Sequence, residues 1–380
     1  MSRPDTLKFC RRFVFQLGIL LILATQLPSA LAASLPQALK NRLGSGNALI
    51  FAAPSGQVIF SVNPEKQMVP ASTLKVVTAL AAFHYLGPDY RFRTEFFLDA
   101  SNNLIIRGYG DPTLTSKAVA GICRDLKTTL PAAADIINDI VLDDSFFSEP
   151  LTIPGINSSI QPYDAPNGAL CVNFNTVSFR RLKNGRHLTG EPETPLLPFV
   201  MKRVKSSGLQ GGRIPLSHDN REALFYAGHL FRYFLKASKI TVNGGIRAGH
   251  SHRGDLRLIL QHESDHSLSA IIAALMEYSN NFTANQILIT TGAEVYGPPG
   301  TLDKGVKALS TYVENTLGLN TPCIIEGSGI SRRNRMTAKD LLTAIDVFAP
   351  HAELLRKNGR EYYKTGTLNG IRTRVGYIED

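Results

Sequence analysis

Three short segments, far apart in the 380-residue sequence and each set in a different local pattern, constrain what it can fold into. Ser72-Thr73-Leu74-Lys75 opens a helical pattern in which Leu74, Val77, Leu80, Ala81 and Phe83 recur at helical spacing, until Leu86-Gly87-Pro88 stops it. Ser279-Asn280-Asn281 comes 207 positions after Ser72, directly behind the apolar run Leu268 to Tyr278. Lys364-Thr365-Gly366-Thr367 lies in a strand pattern from Glu361, with a second strand pattern, Arg372 to Ile378, beyond Leu368-Asn369-Gly370. A helix start, a turn between helices and a strand are the three local settings.

Each segment carries chemistry and also a plainer reading. The i, i+3 spacing puts Ser72 and Lys75 on one helix face. A lysine whose pKa is lowered by burial or neighbouring charge can then take the serine proton and make Ser72 a nucleophile. At a helix start the hydroxyl also sits beside backbone N–H groups able to hold an oxyanion. Alone, Ser-x-x-Lys is most often a capped surface helix. Ser279 can relay a proton and the Asn281 amide can orient a carbonyl, yet the triplet alone is a turn signal. Gly366 in a strand lets a ligand backbone approach closely, with Lys364 and Thr365 facing an anionic substrate end.

The rest of the chain supplies the frame. Asn47 to Phe51 and Gln57 to Val62 read as a hairpin across Ala53-Pro54-Ser55-Gly56. Strands are expected at Phe92 to Leu98, Leu104 to Gly108, Ile140 to Leu142, Val172 to Phe179, Ile214 to Leu216 and Ile240 to Ile246. Helices are expected at Arg221 to Ala237, Asn280 to Thr290, Leu302 to Thr316 and, capped by Thr337 with Asp340 three residues on, up to Phe348.

Arg3, Lys8, Arg11 and Arg12 precede an apolar stretch from Phe13 to Leu27, and Ala30-Leu31-Ala32 gives small residues for cleavage. Residues 1–32 therefore read as a secretory signal, the apolar run being too short to span a bilayer, which implies an exported, most simply periplasmic, protein. The formal charge of +10 falls to +7 once that segment, with four basic residues and Asp5, is removed. Excess positive charge outside the cytoplasm suits peripheral contact with membrane headgroups or an anionic wall polymer. Nucleic acid would require a basic stripe with interleaved aromatics, which is missing. Cys123, Cys171 and Cys323 remain after Cys10 leaves, permitting one disulfide and one free thiol. No ligand spacing for a metal is found, and His250, His252, His262 and His266 read as solvated.

The order of the three motifs is that of β-lactamases and penicillin-binding proteins. Between them stand Gly108-Tyr109-Gly110-Asp111-Pro112-Thr113, Leu142-Asp143-Asp144-Ser145-Phe146-Phe147, Tyr163-Asp164-Ala165-Pro166, Tyr278-Ser279-Asn280-Asn281-Phe282 and Glu326-Gly327-Ser328-Gly329-Ile330-Ser331-Arg332. Over most of residues 47–378 the chain resembles the D-alanyl-D-alanine carboxypeptidase/endopeptidase family, the low-molecular-mass class C penicillin-binding proteins. The resemblance implies an α+β chain with the serine β-lactamase/penicillin-binding-protein fold, an antiparallel sheet flanked by helices, and with an inserted mixed domain. Residues 33–88 and 262–380 would form the catalytic domain and 89–261 the insertion. It also implies roles: Ser72 as nucleophile, Lys75 as base, Ser279 and Asn281 completing the relay, and Lys364 and Thr365 binding a terminal carboxylate. The N–H groups of Ser72 and Thr367 would form the oxyanion hole. Asp143 would meet the ammonium and Arg332 the carboxylate of a stem diamino acid, with Asn369 nearby. The implied substrates are a peptidoglycan pentapeptide or cross-linked muropeptide, with β-lactams trapped at the same serine and no cofactor.

Two features depart from that family. The insertion is shorter than usual, so a smaller nested domain is expected to be reduced or absent. The family also continues past the equivalent of Asp380 into a last strand lying centrally in its sheet. Truncation, another segment in that place, or poor folding are the outcomes this leaves open. The rival functions are a non-catalytic wall-binding scaffold and a β-lactamase.

Overall fold

A computed structural model describes residues 9–15, 42–131, 136–250 and 256–379. Of the expected signal only Phe9–Phe15 falls among them, and His252 lies outside them. The strands in chain order are β1 (Phe9–Phe15), β2 (Leu49–Ala52), β3 (Val58–Val62), β4 (Arg93–Leu98), β5 (Leu104–Gly108), β6 (Ile136–Ile137), β7 (Ile140–Asp143) and β8 (Thr176–Arg181). They continue with β9 (His187–Thr189), β10 (Gly211–Pro215), β11 (Thr241–Val242), β12 (Ile246–Ala248), β13 (Arg257–Glu263), β14 (Arg356–Asn358), β15 (Glu361–Leu368) and β16 (Ile371–Glu379). The α-helices are α1 (Leu74–Leu86), α2 (Ser116–Thr129), α3 (Met201–Ser206), α4 (Asn220–Ala237), α5 (Leu268–Tyr278), α6 (Asn281–Tyr296), α7 (Leu302–Asn315) and α8 (Ala338–Phe348).

The chain divides into two compact units. The first comprises residues 1–84, 272–279 and 309–380, and is built on a six-stranded sheet of order β14-β15-β16-β1-β2-β3. Every neighbouring pair in it is antiparallel. Because side chains alternate across a strand, Thr373, Val375 and Tyr377 of β16 share a face with their β15 partners Gly366, Lys364 and Tyr362. On that face Thr373 donates to the carbonyl of Pro70 at 2.7 Å, and Tyr377 donates to the carbonyl of Ile345 in α8. One strand thus ties down both the turn before Ser72 and a helix whose apolar residues Leu341, Leu342, Ile345 and Phe348 are buried. Helix α8 starts where the sequence placed it, with Thr337 and Asp340 forming a reciprocal capping box worth about 1 kcal/mol.

The second unit, residues 85–271 and 280–308, holds a five-stranded mixed sheet of order β12-β7-β5-β4-β13. The pairs β12·β7 and β7·β5 are parallel, and β5·β4 and β4·β13 antiparallel. Helices α2 and α4 pack on each other within a core that includes Phe96, Ile106, Ile122, Leu126, Leu230 and Phe231. A smaller antiparallel sheet, β10-β8-β9, and a parallel pair, β11·β6, complete it.

This unit reaches further than the 89–261 expected of the insertion. β13 extends β4 as a paired strand where the sequence showed only a His- and Ser-bearing stretch. Helix α6 belongs to it because Asn167 donates to Phe282 O at 2.9 Å and to Gln286 Oε1 at 2.8 Å, while Phe282 meets Phe174 edge-on. The strand expected from Val172 also starts late. Asn173, Phe174 and Asn175 take positive φ of 50°, 59° and 52° in a 3₁₀ turn, and pairing begins at Thr176. The disulfide that the sequence left open does not form: Cys123 and Cys171 are free and buried, and Cys323 is free and exposed.

The central place in the first sheet is filled by β1. It pairs with β16 from Phe9↔Glu379 to Phe15↔Arg374 and with β2 from Arg12↔Ala52 to Phe15↔Leu49. The outcome is a segment supplying backbone partners to both neighbours, which would otherwise face each other across an open slot. These residues cannot serve one molecule both as a middle strand and as a cleaved leader. A chain starting at Ala33 is expected to melt at least ~2 °C below the full chain, since loss of a doubly paired strand costs more than ~1 kcal/mol. A synthetic peptide of residues 8–16 should restore part of that difference. Equal melting temperatures by calorimetry would show that β1 is dispensable to the sheet.

Candidate active site

Within the first unit, α1 is preceded by a single 3₁₀ turn, Ala71–Thr73, after Pro70. Thr73 donates its hydroxyl to Pro70 O at 2.6 Å, and Ala71 takes φ +48°, a left-handed conformation that costs a residue with a Cβ about 1 kcal/mol or more. The pinned turn leaves Ser72 partly exposed while Lys75, one helical turn on, is wholly buried. Lys75 Nζ donates to Ser72 Oγ at 2.9 Å and to the carbonyl of Ser328 at 2.7 Å. Burial holds the Lys75 pKa well below the ordinary lysine range; the nearby Lys364 ammonium lowers it further and Glu326 opposes both.

Lys364, 2% exposed, lies in β15 on the face turned to this helix start. Its Nζ donates to Ser279 Oγ at 2.7 Å and to Thr365 O at 3.1 Å. Burial pushes its pKa down to about 8, with Arg356 adding to the shift and Glu277 resisting it. Ser279 ends α5 with φ +57°, its N–H donating to Leu275 O at 2.9 Å, so the chain turns sharply and presents the hydroxyl to Lys364. The result is two serine–lysine pairs: Ser72–Lys75 and Ser279–Lys364.

Two glycines make this closeness feasible. A Cβ on Gly366 would lie 2.7 Å from Ser72 N and 2.9 Å from Ala71 Cβ. Gly329, at φ +81°, runs against the Ala71 carbonyl, and a Cβ there would lie 3.1 Å from Ser72 N. Sequence reasoning gave Gly366 a role in admitting a ligand backbone; the structure shows it admitting the protein's own Ala71–Ser72 turn. It singled out the segment holding Glu326, Ser328 and Gly329 but gave these residues no role, and it missed Thr373.

The other expected residues fall as follows. Thr365 and Thr367 are exposed on β15. Arg332, also exposed, donates to the carbonyl of Asn369, so these two do meet. Asn281 is the first residue of α6, after the Asn280 cap that accepts from Thr283 N at 3.2 Å, and belongs to the second unit. Asp143, in the same unit, is 1% exposed and its carboxylate is already engaged. Oδ2 takes Arg107 Nε at 2.9 Å, and Oδ1 takes Ser145 Oγ at 2.6 Å and Ser145 N at 3.1 Å.

A buried lysine touching a helix-start serine, with a second serine–lysine pair nearby on the sheet face, is an arrangement for acyl transfer. The model of the D-Ala-D-Ala carboxypeptidase 3 (S13) family matches residues 31–207 and 209–357. The chain belongs to that family. Among the S13 chain's relatives, the D-alanyl-D-alanine carboxypeptidase of Actinomadura sp. is 26% identical over 401 residues, covering 85% of this chain and 73% of that protein. The D-alanyl-D-alanine carboxypeptidase DacB of Haemophilus influenzae is 23% identical, covering 83% and 74%. The crystal structure of penicillin binding protein 4 from Haemophilus influenzae superposes with TM-score 0.67 at 20% identity, covering 86% of this chain and 88% of that one. The fold is therefore the α+β penicillin-binding-protein fold that the motif order implied.

Gly366→Ala forces the nucleophile turn away from β15 and is expected to slow covalent labelling by a fluorescent penicillin at least ~100-fold, the scale of a misplaced reacting group. Stopped-time labelling on folded protein, checked by circular dichroism, measures this. An unchanged rate would show that the close approach is irrelevant to reactivity.

Proposed function

We propose that this chain is a serine D-Ala-D-Ala carboxypeptidase and DD-endopeptidase that acts on peptidoglycan stem peptides through an acyl-enzyme. The observation that carries the reading is the 2.9 Å contact between Ser72 Oγ and a wholly buried Lys75. A lysine whose pKa burial lowers accepts the serine proton as Ser72 Oγ attacks the carbonyl of the penultimate D-alanine. The tetrahedral oxyanion gathers the N–H groups of Ser72 and Thr367. Ser279 returns a proton to the leaving amine, Asn281 holds the substrate amide, and water then frees the acyl group from Ser72. The leaving residue's carboxylate is met by the Lys364 ammonium with Thr365, a charge-assisted contact. β-Lactams acylate the same hydroxyl.

Arg332 is the side chain we assign to a stem diamino acid's carboxylate, with Asn369 beside it. Asp143 offers an ammonium little, because its pairing with Arg107 already neutralises it. Residues 1–32, read as an export leader, would put this activity in the periplasm, where positive charge suits an anionic wall; the intact mass of the exported protein decides between leader and retained β1. Among the described residues, no helix is long and apolar enough to cross a membrane.

Fluorescent penicillin should label the full chain and leave Ser72→Ala unlabelled; a folded wild-type protein without label would sink the acyl-enzyme reading. A long-lived adduct supports a peptidase, and rapid release a β-lactamase. Purified muropeptides should lose terminal D-alanine or their cross-bridges on incubation, as read by mass spectrometry.

Lys364 gives the pH dependence. Its pKa in the folded chain is about 8, against 10.5 for an ordinary lysine. Above pH 8 the ammonium is lost, so KM for a D-Ala-D-Ala substrate should rise about tenfold per pH unit while the ordinary lysine is still charged. The stability effect has the opposite sign. Between about 8 and 10.5 the unfolded chain binds the extra proton, so this group makes folding more favourable as pH rises. A KM flat from pH 7 to 9.5 would remove Lys364 from carboxylate binding.

A further inference from the structure

Glu326 has no part in the steps above, yet it is 0% exposed and lies one loop away from Lys75. Its carboxylate collects five donors. Oε2 accepts from Ser328 N at 2.7 Å and Ser328 Oγ at 2.6 Å. Oε1 accepts from Gly329 N at 2.8 Å, Asn334 Nδ2 at 2.7 Å and Ser331 N at 3.3 Å. Asn334 is itself held by Ile325 N at 2.8 Å, so the segment from Ile325 to Asn334 is wrapped around one buried charge.

The outer surface of that wrapped segment is the wall of the active site. The Ser328 carbonyl receives Lys75 Nζ at 2.7 Å, and the Gly327 carbonyl receives Thr78 Oγ1 at 2.7 Å, one turn further along α1. Gly329 presses on the backbone of Ala71 and Ser72. Drawing Ser328 N and Gly329 N inward onto the carboxylate leaves the carbonyls of Gly327 and Ser328 to point outward at α1. A buried carboxylate is tolerated because so many donors satisfy it.

We propose that Glu326 is a positioning residue for the general base: it folds the 326–331 loop so that the Ser328 carbonyl orients the Lys75 amine toward Ser72, and its fixed negative charge sets the pH at which that amine becomes a base. The proposal rests on the acyl-enzyme reading above. Two mechanisms act together. The loop fixes where the Lys75 nitrogen sits beside Ser72, because one of its N–H groups is held on Ser328 O. The charges facing Lys75 set its protonation: Lys364 from β15 disfavours the ammonium and Glu326 from the loop favours it, against the lowering by burial. Lys364 is in turn influenced by Glu277 and Arg356.

The test is the pH profile of the second-order rate of Ser72 acylation by fluorescent penicillin, with full-length wild type, Glu326→Gln and Glu326→Asp. In wild type the rate climbs on the acid side as Lys75 loses its proton. Glu326→Gln keeps the size and removes the charge, so its acid limb should move at least about 0.5 pH unit lower and its plateau rate fall about tenfold, a part of the roughly 10²–10⁴-fold that a positioned base contributes. Glu326→Asp keeps the charge but shortens the reach. Its acid limb should stay within about 0.2 unit of wild type while its plateau falls at least about fivefold, again a part of that contribution. A purely structural role predicts plateau losses that follow the folded fraction, with both limbs unmoved. An unmoved limb in folded Glu326→Gln overturns the proposal. Should Glu326→Gln not fold, an undiminished plateau in Glu326→Asp overturns it instead. If wild type itself takes no label, the acyl-enzyme reading falls and not this residue's role alone.

Discussion

The buried ammonium group of Lys75 is the point on which the rest of the first unit depends. Taking a lysine out of water costs several kcal/mol unless it sheds its proton or finds partners. Here the site supplies both outlets: a carbonyl and a hydroxyl to bond, and an environment that favours the neutral amine. Each outlet is built by a different element. The carbonyl comes from the loop wrapped on Glu326, the hydroxyl from the pinned turn ahead of α1, and the repelling charge from β15. No single element of the fold sets the surroundings of Lys75.

The sheet is what brings those elements into register. Lys364 and Gly366 share a face with Val375 and Thr373, so the cation that shapes Lys75 and the glycine that lets β15 approach Ser72 are fixed by the same antiparallel alternation. A slip of one residue between β15 and β16 would turn Lys364 away from Ser279 and put a threonine where Gly366 stands. Catalytic geometry in this chain is thus a consequence of strand register, and register is a consequence of which β16 residues are apolar.

Much of this was legible in the sequence. The helical spacing after Ser72, the apolar run before Ser279 and the strand around Lys364 all stand where the residues put them, because local periodicity and tertiary packing agree there. Motif order, rather than any one motif, showed that these residues serve one site. What sequence hid had non-local causes. β13 lacks an apolar alternation of its own and is a strand through pairing with β4. Residues 173–175 looked like strand because Val172 and Phe174 alternate, but side-chain bonds such as Asn173 to Ser116 and Asn175 to Pro166 O hold them in a left-handed turn. Glu326 stood in a segment that carried the resemblance but had no role of its own, since nothing in a Gly-Ser stretch tells that five donors will close on it. β1 sat inside a segment whose composition spoke for export.

Thr373 and Tyr377 lie on one strand, one holding the turn before Ser72 and the other holding α8. Pro70 and Thr373 stand 303 residues apart, so the turn that carries Ser72 is held by β16 only after most of the sequence has been made. On the acyl-enzyme reading proposed above, reactivity at Ser72 would therefore arrive with the docking of β16 rather than with the helix that follows the serine.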